Sequence, residues 1–421
     1  MKKQLAGILA LAMSLTMAAC SSDTGNGGAG NSGAGGGEAA VNETTTTAEV
    51  KDETTAKADE EPAEAEKEEE NTTEATTEET TTEAETEPPA PAVEYVEPVA
   101  EDFIYQYDAA LGGAKITAYK GEPAAIIIPA ELDGDPVKEI KLSNTKITHV
   151  KVPDGVVGVD FWKCKSLTEV ELPDSVASIF FSECSSLTGL TIPSSVTFIG
   201  QNTFYDCENL TNLIIPNNIT EIGQKAFSHF SGMTEITIPD SVTKIGDRAF
   251  EECKNLTSVV LPDNGMEIGS STFYECKSLT DITIPDGVKF KDNEMRNTFE
   301  RCSSLTEVTI PDGVEILHGT FGDCKNLTSV VLPDSVTVFD SGAFRSCYNL
   351  TSVNIPEGVT TIGYNSFKNC QKLRSLALPD SVKSMYSTDV FEGCDALTVT
   401  YKGQEYNYTN FRDLYSAING Y

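Results

Sequence analysis

Apolar residues recur in a fixed order through most of the C-terminal two thirds of the chain. In the segment LTSVVLPDSV, Leu327, Val330 and Leu332 are spaced as the buried positions of a short strand. Pro333 has no N–H to donate to a neighbouring strand and is predicted to end it. The residues after the proline favour a turn, and Val336 returns the chain to the core. Each unit therefore predicts one strand, one turn and an irregular connection.

The unit repeats along the chain. Its prolines are spaced by 20 to 26 residues, at positions 153, 173, 193, 216, 239, 262, 285, 311, 333, 356 and 379. A period of 20–29 residues with leucine-x-x-valine-x-leucine at its centre is typical of leucine-rich repeats. Such units bury their apolar side only against their neighbours, so they stack into a solenoid. We expect a parallel β-sheet on one face, irregular or short helical connections elsewhere, and a cap at each end.

A phenylalanine, and a cysteine three residues after it, hold the same place in nearly every unit. The phenylalanines are residues 161, 181, 204, 227, 250, 273, 299, 321, 344, 367 and 391, and the cysteines are residues 164, 184, 207, 253, 276, 302, 324, 347, 370 and 394. One unit has Phe230 in place of cysteine, which indicates a site that selects volume. Equivalent Cβ atoms on coils about 4.8 Å apart are too distant for good disulfide geometry. We expect ten buried, reduced thiols.

The repeated form IPDSVTKIGDRAFEECKNLTSV resembles the BspA-like leucine-rich repeats of bacterial surface proteins, over about residues 100–421. The resemblance implies an N-terminal cap with a degenerate repeat at 99–146, a solenoid at 147–397 and a C-terminal cap at 398–421. It also implies a hairpin and a short helix from Phe411 to Ile418 in the last cap. The function implied is adhesion to host matrix or to other cells, without catalysis.

The N-terminus has the pattern of an export signal. Lys2 and Lys3 precede an apolar stretch that is too short to span a bilayer, which needs about 20 residues. The small residues before Cys20 resemble a bacterial lipobox, which implies a signal peptide at 1–19 and lipid attachment at Cys20. The alternative is an ordinary cleaved signal with an incidental cysteine. Either one places the rest of the chain outside the cytoplasm, and the lipid would hold it at the extracellular surface of the membrane.

Residues 20–98 have the composition of a disordered stalk, first rich in Gly and Ser and then in Thr and Glu. Residues 41–100 carry a formal charge of −17 out of −35 for the whole chain. Acidity of this kind argues against a nucleic-acid partner, which needs a basic footprint. The segment is interpreted as a spacer between the membrane and the repeats.

Candidate chemistry is sparse. His149, His229 and His318 lie in different repeats, and the sequence has no His-x-x-x-His, Cys-x-x-Cys or Gly-x-Ser-x-Gly motif. The aspartates that follow the repeat prolines could attract Ca²⁺ along one edge, but turn capping explains them better. We expect neither an enzyme nor a bound cofactor or metal. The 26-residue repeat adds the segment FKDNEMRN at 290–297, which is expected to form a bulging loop.

Binding is expected on the outward side of the predicted sheet, where the side chains are small, hydroxylic and mildly acidic. The candidate contact residues there are Glu169, Glu171, Asn212, Glu235, Asp281 and Glu307. Trp162, the only tryptophan, is a further candidate, and it could equally seal the N-terminal end of the core. The expected partner is an extracellular protein, from host matrix or a bacterial surface, or a glycan. The alternative function is an envelope scaffold or glycan-binding role without adhesion.

Overall fold

The computed structural model describes residues 93–143, 145–211 and 213–421. These residues form a stack of coils. Equivalent short strands of successive repeats pair in parallel. Ile236, Val259 and Ile282, for example, lie in one register on three successive coils. The predicted solenoid of parallel strands with little helix is confirmed.

The strands of the leucine-x-x-valine-x-leucine segments form what we call the first ladder, which runs in groups of three paired strands. Its strands are Ala125–Ile127, His149–Lys151, Glu169–Glu171, Glu235–Thr237, Ser258–Val260, Asp281–Thr283, Glu307–Thr309, Ser329–Val331, Ser352–Val353, Ser375–Leu378 and Thr398–Tyr401. Gly189 continues it only as an isolated bridge to Glu169. Within each strand of three residues the central residue is buried and its neighbours point outward, as in Glu235–Thr237.

A second set of parallel strands, the second ladder, follows each proline turn. Its strands are Gly113–Tyr119, Asp135–Ser143, Gly158–Trp162, Ser178–Phe180, Phe198–Ile199, Glu221–Ile222, Lys244–Ile245, Glu267–Ile268, Lys289–Phe290, Glu294–Arg296, Ile316–His318, Val338–Phe339, Thr361–Ile362 and Ser384–Met385. The prediction of one sheet face is therefore incomplete. Most of these strands have only two or three residues, too few for an alternating pattern to be visible in the sequence.

The segment around each phenylalanine forms a third line of contacts between coils, which we call the turn column. Arg248, Phe250 and Glu252 donate their backbone N–H groups to the carbonyls of residues 270, 272 and 274 on the next coil, at 2.8, 3.0 and 2.7 Å. Arg248 and Glu252 adopt positive φ angles of 59° and 57°. Every second residue here turns its N–H toward the next coil, so backbone hydrogen bonds link the coils along the irregular connection without forming a strand or a helix.

The repeat phenylalanines form one continuous stack inside the solenoid. Phe250 is fully buried, and its ring lies 5.2 Å from that of Phe227 and 5.7 Å from that of Phe273, at interplanar angles of 6° and 9°. This offset arrangement adds to the burial energy of each ring. The stack continues from Phe161 to Phe391, so these rings are core residues, as the sequence predicts.

The ten repeat cysteines are buried and free. The thiol of Cys253 donates to the carbonyl of Phe227 at 3.2 Å, and that of Cys276 donates to the carbonyl of Phe250 at 3.1 Å. The position therefore uses the S–H group as well as the volume predicted for it. In the unit without cysteine, Phe230 fills the site and packs edge-on against Phe227 at 5.7 Å.

The long repeat does not bulge from the solenoid as predicted. Lys289–Phe290 pairs back with Glu267–Ile268, a short 3₁₀ turn follows at Lys291–Asn293, and Glu294–Arg296 pairs forward with Ile316–His318. Phe290 and Met295 are both buried. The extra residues therefore let this coil supply two strands to the second ladder. Each of the two strands places one hydrophobic side chain in the core.

Both ends of the stack are covered. At the N-terminal end, Phe103–Asp108 pairs antiparallel with Gly113–Tyr119, after a 3₁₀ turn at Ala100–Asp102, and Glu131–Leu132 pairs with Asp135–Ser143. Val96 also bridges to Ile126, although it lies in the segment assigned to the stalk. The packed domain thus begins before the predicted boundary at residue 98, because this short stretch gains a neighbour that its composition does not reveal.

At the C-terminal end, a 3₁₀ turn at Thr388–Phe391 precedes the last coil, and Thr398–Tyr401 forms a hairpin with Gln404–Tyr406. The predicted helix is present as α1, Phe411–Asn419. Its Phe411 packs 5.1 Å from Phe391 and so closes the phenylalanine stack. Among the described residues, no helix has the length and apolar character needed to cross a bilayer.

Two carboxylates are buried on the outward side of the second ladder near its N-terminal end. Glu139 is 2% exposed and pairs with Lys115 at 2.8 Å, and Asp160 is 5% exposed and pairs with Lys141 at 3.0 Å. Burial raises the pKa of the Asp160 carboxyl, and the ion pair with Lys141 offsets that effect only in part. One oxygen of each carboxylate has no hydrogen-bond partner among the described residues.

The raised pKa of Asp160 predicts a pH-dependent stability. A raised pKa means that folding favours the protonated carboxyl. The stabilisation that comes from this protonation is fully present below the ordinary pKa of 3.8, and it is lost as the pH rises through the folded-state pKa. The free energy of unfolding should therefore fall with rising pH relative to that of Asp160→Asn, which cannot titrate. Urea unfolding of both proteins between about pH 3 and 7 measures the difference. If the free energy of unfolding instead rose with pH relative to that of Asp160→Asn, the ion pair with Lys141, and not burial, would control the pKa of this carboxyl.

Candidate functional site: the outward face of the first ladder

The outward face of the first ladder is built by strand alternation. In Glu235–Thr237, Ile236 is buried while Glu235 and Thr237 point to solvent, and the next coil repeats the arrangement with Ser258 and Val260. Since coils pair in register, the outward residues form two parallel columns, one that starts each strand and one that ends it. This face has the regularity that a broad contact surface requires.

The structure places most of the predicted contact residues together on this face. Glu169, Glu171, Glu235, Asp281 and Glu307 are all exposed there.

Two of the predicted residues are not part of that arrangement. Trp162 ends the second-ladder strand Gly158–Trp162 and is 42% exposed, with the Lys163 ammonium 4.4 Å from its ring centre. It does not seal the core and does not join the acidic residues. Asn212 lies outside the described residues.

The acidic residues near the N-terminal end of the face are already partnered. Glu171 lies 2.9 Å from the Lys151 ammonium, and Glu169 lies 3.8 Å from the His149 ring. Tyr95, from the segment that precedes the first cap, adds its ring over Lys151 at 4.4 Å. This end of the face is therefore held by contacts within the molecule.

The central acidic residues are different. Glu235, Asp281 and Glu307 take part in none of the ion pairs found among the described residues, and all three are exposed. Asp281 is followed in the same column by Glu307 on the next coil. Their charges are therefore uncompensated and available to a partner.

Exposed apolar side chains accompany these acids in the second column. Ile214 is 81% exposed, Val260 58% and Val331 55%. Isolated exposed apolar residues are normal on a protein surface, but these share a column with threonines at positions 237, 283 and 309. They are not among the candidate contact residues named from the sequence, although β-branched residues at positions that strand alternation exposes are visible in it.

The face has a shallow depression where the first ladder is interrupted. It encloses about 710 Å³ and is lined by Glu169, Glu171, Gly189, Thr191 and Thr211, among others. A Cβ at Gly189 would meet no atom within 4 Å, so the space above this glycine is open. Ile214 is the next outward residue beyond Thr191 in its column.

The remaining chemistry-bearing residues do not converge. His149, His229 and His318 lie on separate coils, each within 4 Å of a carboxylate from a neighbouring coil. His318 ends the second-ladder strand Ile316–His318. Burial raises the pKa of the Cys207 thiol to about 12. Across the described part of the chain, no group of three or more histidine, cysteine or acidic residues could hold a metal ion.

The stacked coils, the parallel ladders and the long exposed face define a leucine-rich-repeat solenoid, a class that typically serves as a scaffold for binding other proteins. The model of the BspA-type leucine-rich repeat region, in 6 copies, matches residues 137–231, 178–295, 221–317 and 295–411. The chain belongs to this family, as the sequence resemblance indicates.

Several solved structures are similar to this chain. A leucine-rich repeat protein from Bacteroides ovatus is 24% identical over 71% of this chain and 87% of its own, with a TM-score of 0.49. A leucine-rich cell surface protein from Faecalibacterium prausnitzii is 23% identical over 71% and 86%, with a TM-score of 0.43. The pneumococcal vaccine antigen PcpA is 18% identical over 71% and 80%, with a TM-score of 0.48. A comparison with curated proteins finds no match.

Proposed function

We propose that this protein is a non-enzymatic, lipid-anchored surface protein that binds an extracellular protein through the outward face of the first ladder. The observation that carries the proposal is the central part of that face, where uncompensated acids at Glu235, Asp281 and Glu307 lie beside exposed Val260 and Val331. A partner with basic and apolar side chains at matching spacing would gain both charge complementarity and apolar burial.

The shape of the face favours a protein over a small molecule. The depression near Gly189 is wide and shallow, whereas small-molecule sites are concave and bury most of their ligand. The face extends over many coils, so weak contacts at each coil add up over a large area. Adhesion to host matrix or to other cells is the form of this function that the family resemblance supports.

The proposed surface location rests on the N-terminal sequence. We retain a signal peptide at 1–19, lipid attachment at Cys20 and a stalk up to the first cap as parts of the proposal. These segments lie outside the described residues, apart from the last few before residue 98. A chain labelled with radioactive palmitate in its native host, and a Cys20→Ser variant that takes up no label, would support the anchor.

A charge-reversal experiment tests the binding face. The purified protein is tested for binding to immobilised host matrix proteins and to bacterial cell-wall extract. The double variant Asp281→Lys/Glu307→Lys should lower the affinity for the bound material at least tenfold, because it turns attraction into repulsion at two adjacent coils. Surface plasmon resonance at two salt concentrations measures the loss, which should shrink as the salt rises.

The matched control is Glu208→Lys/Asp395→Lys, which changes the net charge equally at two exposed acids outside the first ladder. Equal losses in both double variants would mean that net charge alone acts, and the proposed face would be wrong. Trp162→Ala tests whether the second ladder takes part in binding. It should leave the affinity unchanged. Binding to cell-wall extract alone would favour the envelope-scaffold alternative over adhesion.

A further inference from the structure

A small notch interrupts the turn column near the C-terminal end of the solenoid. The position that begins each turn carries a side chain in most coils, such as Lys225, Arg248 and Asn297, but two successive coils have Gly319 and Gly342. All of these residues adopt positive φ angles, so the backbone path is the same and only the side chains are missing. Beside them lies a notch of about 160 Å³. The Asn297 side chain reaches over Gly319, where its Oδ1 occupies the place of a Cβ, whereas a Cβ at Gly342 would have only the Arg345 side chain within 4 Å.

Hydrogen-bonding side chains surround this notch. Asn297 and Asn365 border it on the coils before and after the glycines, and Ser341, Arg345 and Tyr364 complete the lining with Glu300. The amides of other asparagines in the solenoid are used within the molecule, for example by Asn255 and Asn264, which donate to the preceding coil at 2.8 Å. The side-chain amides of Asn297 and Asn365 make no such bond among the described residues. They are therefore available to a ligand.

An exposed aromatic wall stands on one side of the notch. Tyr364 is 53% exposed, and its ring lies 5.4 Å from that of Tyr386, itself 45% exposed, at a tilt of 58°. Two exposed tyrosines on adjacent coils hold each other in place and present a flat ring face beside unused amide groups. An aromatic face packs against C–H groups, while the amides bind hydroxyl groups.

The charge at the notch disfavours an ionic ligand. The Arg345 guanidinium lies 3.4 Å from Glu300 and 2.8 Å from Asp323, so its single positive charge is shared by two carboxylates. An anion would meet that carboxylate excess, and a cation would meet the guanidinium. The arrangement suits a neutral ligand that both donates and accepts hydrogen bonds.

We propose that this notch binds one neutral pyranose ring of a glycan, stacked on Tyr364 and hydrogen-bonded by Asn297, Asn365 and Ser341. The volume is below the about 300 Å³ of sites for drug-sized ligands, and it fits a single ring while the open rim lets the chain of sugars continue. This site is on the turn column, so it is independent of the protein-binding face of the first ladder.

Saturation-transfer NMR with the methyl glycosides of glucose, galactose, mannose and N-acetylglucosamine tests this site on the purified protein. At least one glycoside should receive saturation from the wild type. Its affinity should fall at least tenfold in Tyr364→Ala, which removes the stacking surface. Tyr408→Ala is the matched control, since Tyr408 is 68% exposed and lies outside the notch, and it should bind as the wild type does.

A second variant fills the notch and replaces the Ser341 hydroxyl by a longer side chain, while Tyr364 and both asparagines stay in place. Ser341→Gln introduces the residue that Gln224 supplies at the equivalent position of another coil, so the fold accommodates it, and binding should be lost. Absence of saturation transfer from all four glycosides would overturn the proposal, as would equal transfer in wild type and Ser341→Gln. Displacement of the glycoside by inorganic phosphate would show an anion site in its place and would also overturn it.

Discussion

Replacing Phe250 by alanine should lower the free energy of unfolding by about 3–5 kcal/mol. Phe250 is fully buried and is stacked between Phe227 and Phe273 at centre-to-centre distances of 5.2 and 5.7 Å. Its removal leaves a cavity and also breaks the continuous stack of phenylalanine rings in the solenoid. Because each coil contacts only its neighbours, the loss should also reduce cooperativity, which urea unfolding followed by far-ultraviolet circular dichroism would detect as a broader transition.

Phe180→Ala is the control for this prediction. Phe180 belongs to the second ladder, points outward and is only half-buried, so its removal should cost much less. Phe250→Leu should lie between the two, because leucine fills part of the cavity. A loss below about 1 kcal/mol in Phe250→Ala would mean that neighbouring coils collapse into the space, and that the stack contributes little beyond its volume.

Replacing Lys115 by methionine should destabilise the protein by about 3–5 kcal/mol, although Lys115 itself is partly exposed. Its ammonium lies 2.8 Å from Glu139, whose side chain is 2% exposed. The second oxygen of Glu139 has no hydrogen-bond partner among the described residues, so the carboxylate would lose its main compensation. Urea unfolding at neutral pH measures the effect, and the double variant Lys115→Met/Glu139→Gln should recover most of the loss.

Lys151→Met provides the comparison for a pair of similar length. Lys151 lies 2.9 Å from Glu171, but the two side chains are 37% and 51% exposed. Pairs of this kind contribute only about 0–1 kcal/mol, so this variant should be close to the wild type. If Lys115→Met and Lys151→Met lowered the free energy of unfolding by similar amounts, the burial of Glu139 would not determine how much the Lys115–Glu139 pair stabilises the protein.

The residues that the sequence predicts best are those that recur at one register. Phe250, Cys253 and Leu256 each belong to a column of nearly identical residues, and all three are buried as predicted. Their role is visible because every coil imposes the same inward position on them. The predicted acidic contacts at Asp281 and Glu307 follow from strand alternation in the same way, which is why the structure places them together.

The features that were missed depend on contacts between residues that differ from coil to coil. Lys244–Ile245 is a strand of two residues, and only its pairing with Glu221–Ile222 and Glu267–Ile268 reveals it. The burial of Asp160 likewise depends on its particular surroundings and not on its own column. The notch beside Gly319 and Gly342 depends on how the side chains of neighbouring coils, such as Asn297, lie over these glycines, and a glycine in a turn indicates only backbone freedom.

The peptide dipoles of the turn column are aligned along the axis of the solenoid. The N–H groups that link its coils point toward the next coil, from Lys163, which donates to residue 182, to Asn369, which donates to residue 392. Each peptide unit carries a dipole of about 3.5 D, so the aligned units leave partial negative charge at the N-terminal end of the column and partial positive charge at the other, which is the reverse of the polarity of an α-helix. Lys163 and Lys165 flank the first turn, and Glu392 and Asp395 flank the last. The side-chain charges of the end coils thus have the opposite sign to the partial charge of the dipole at each end. For this reason the end coils are not interchangeable with the coils between them.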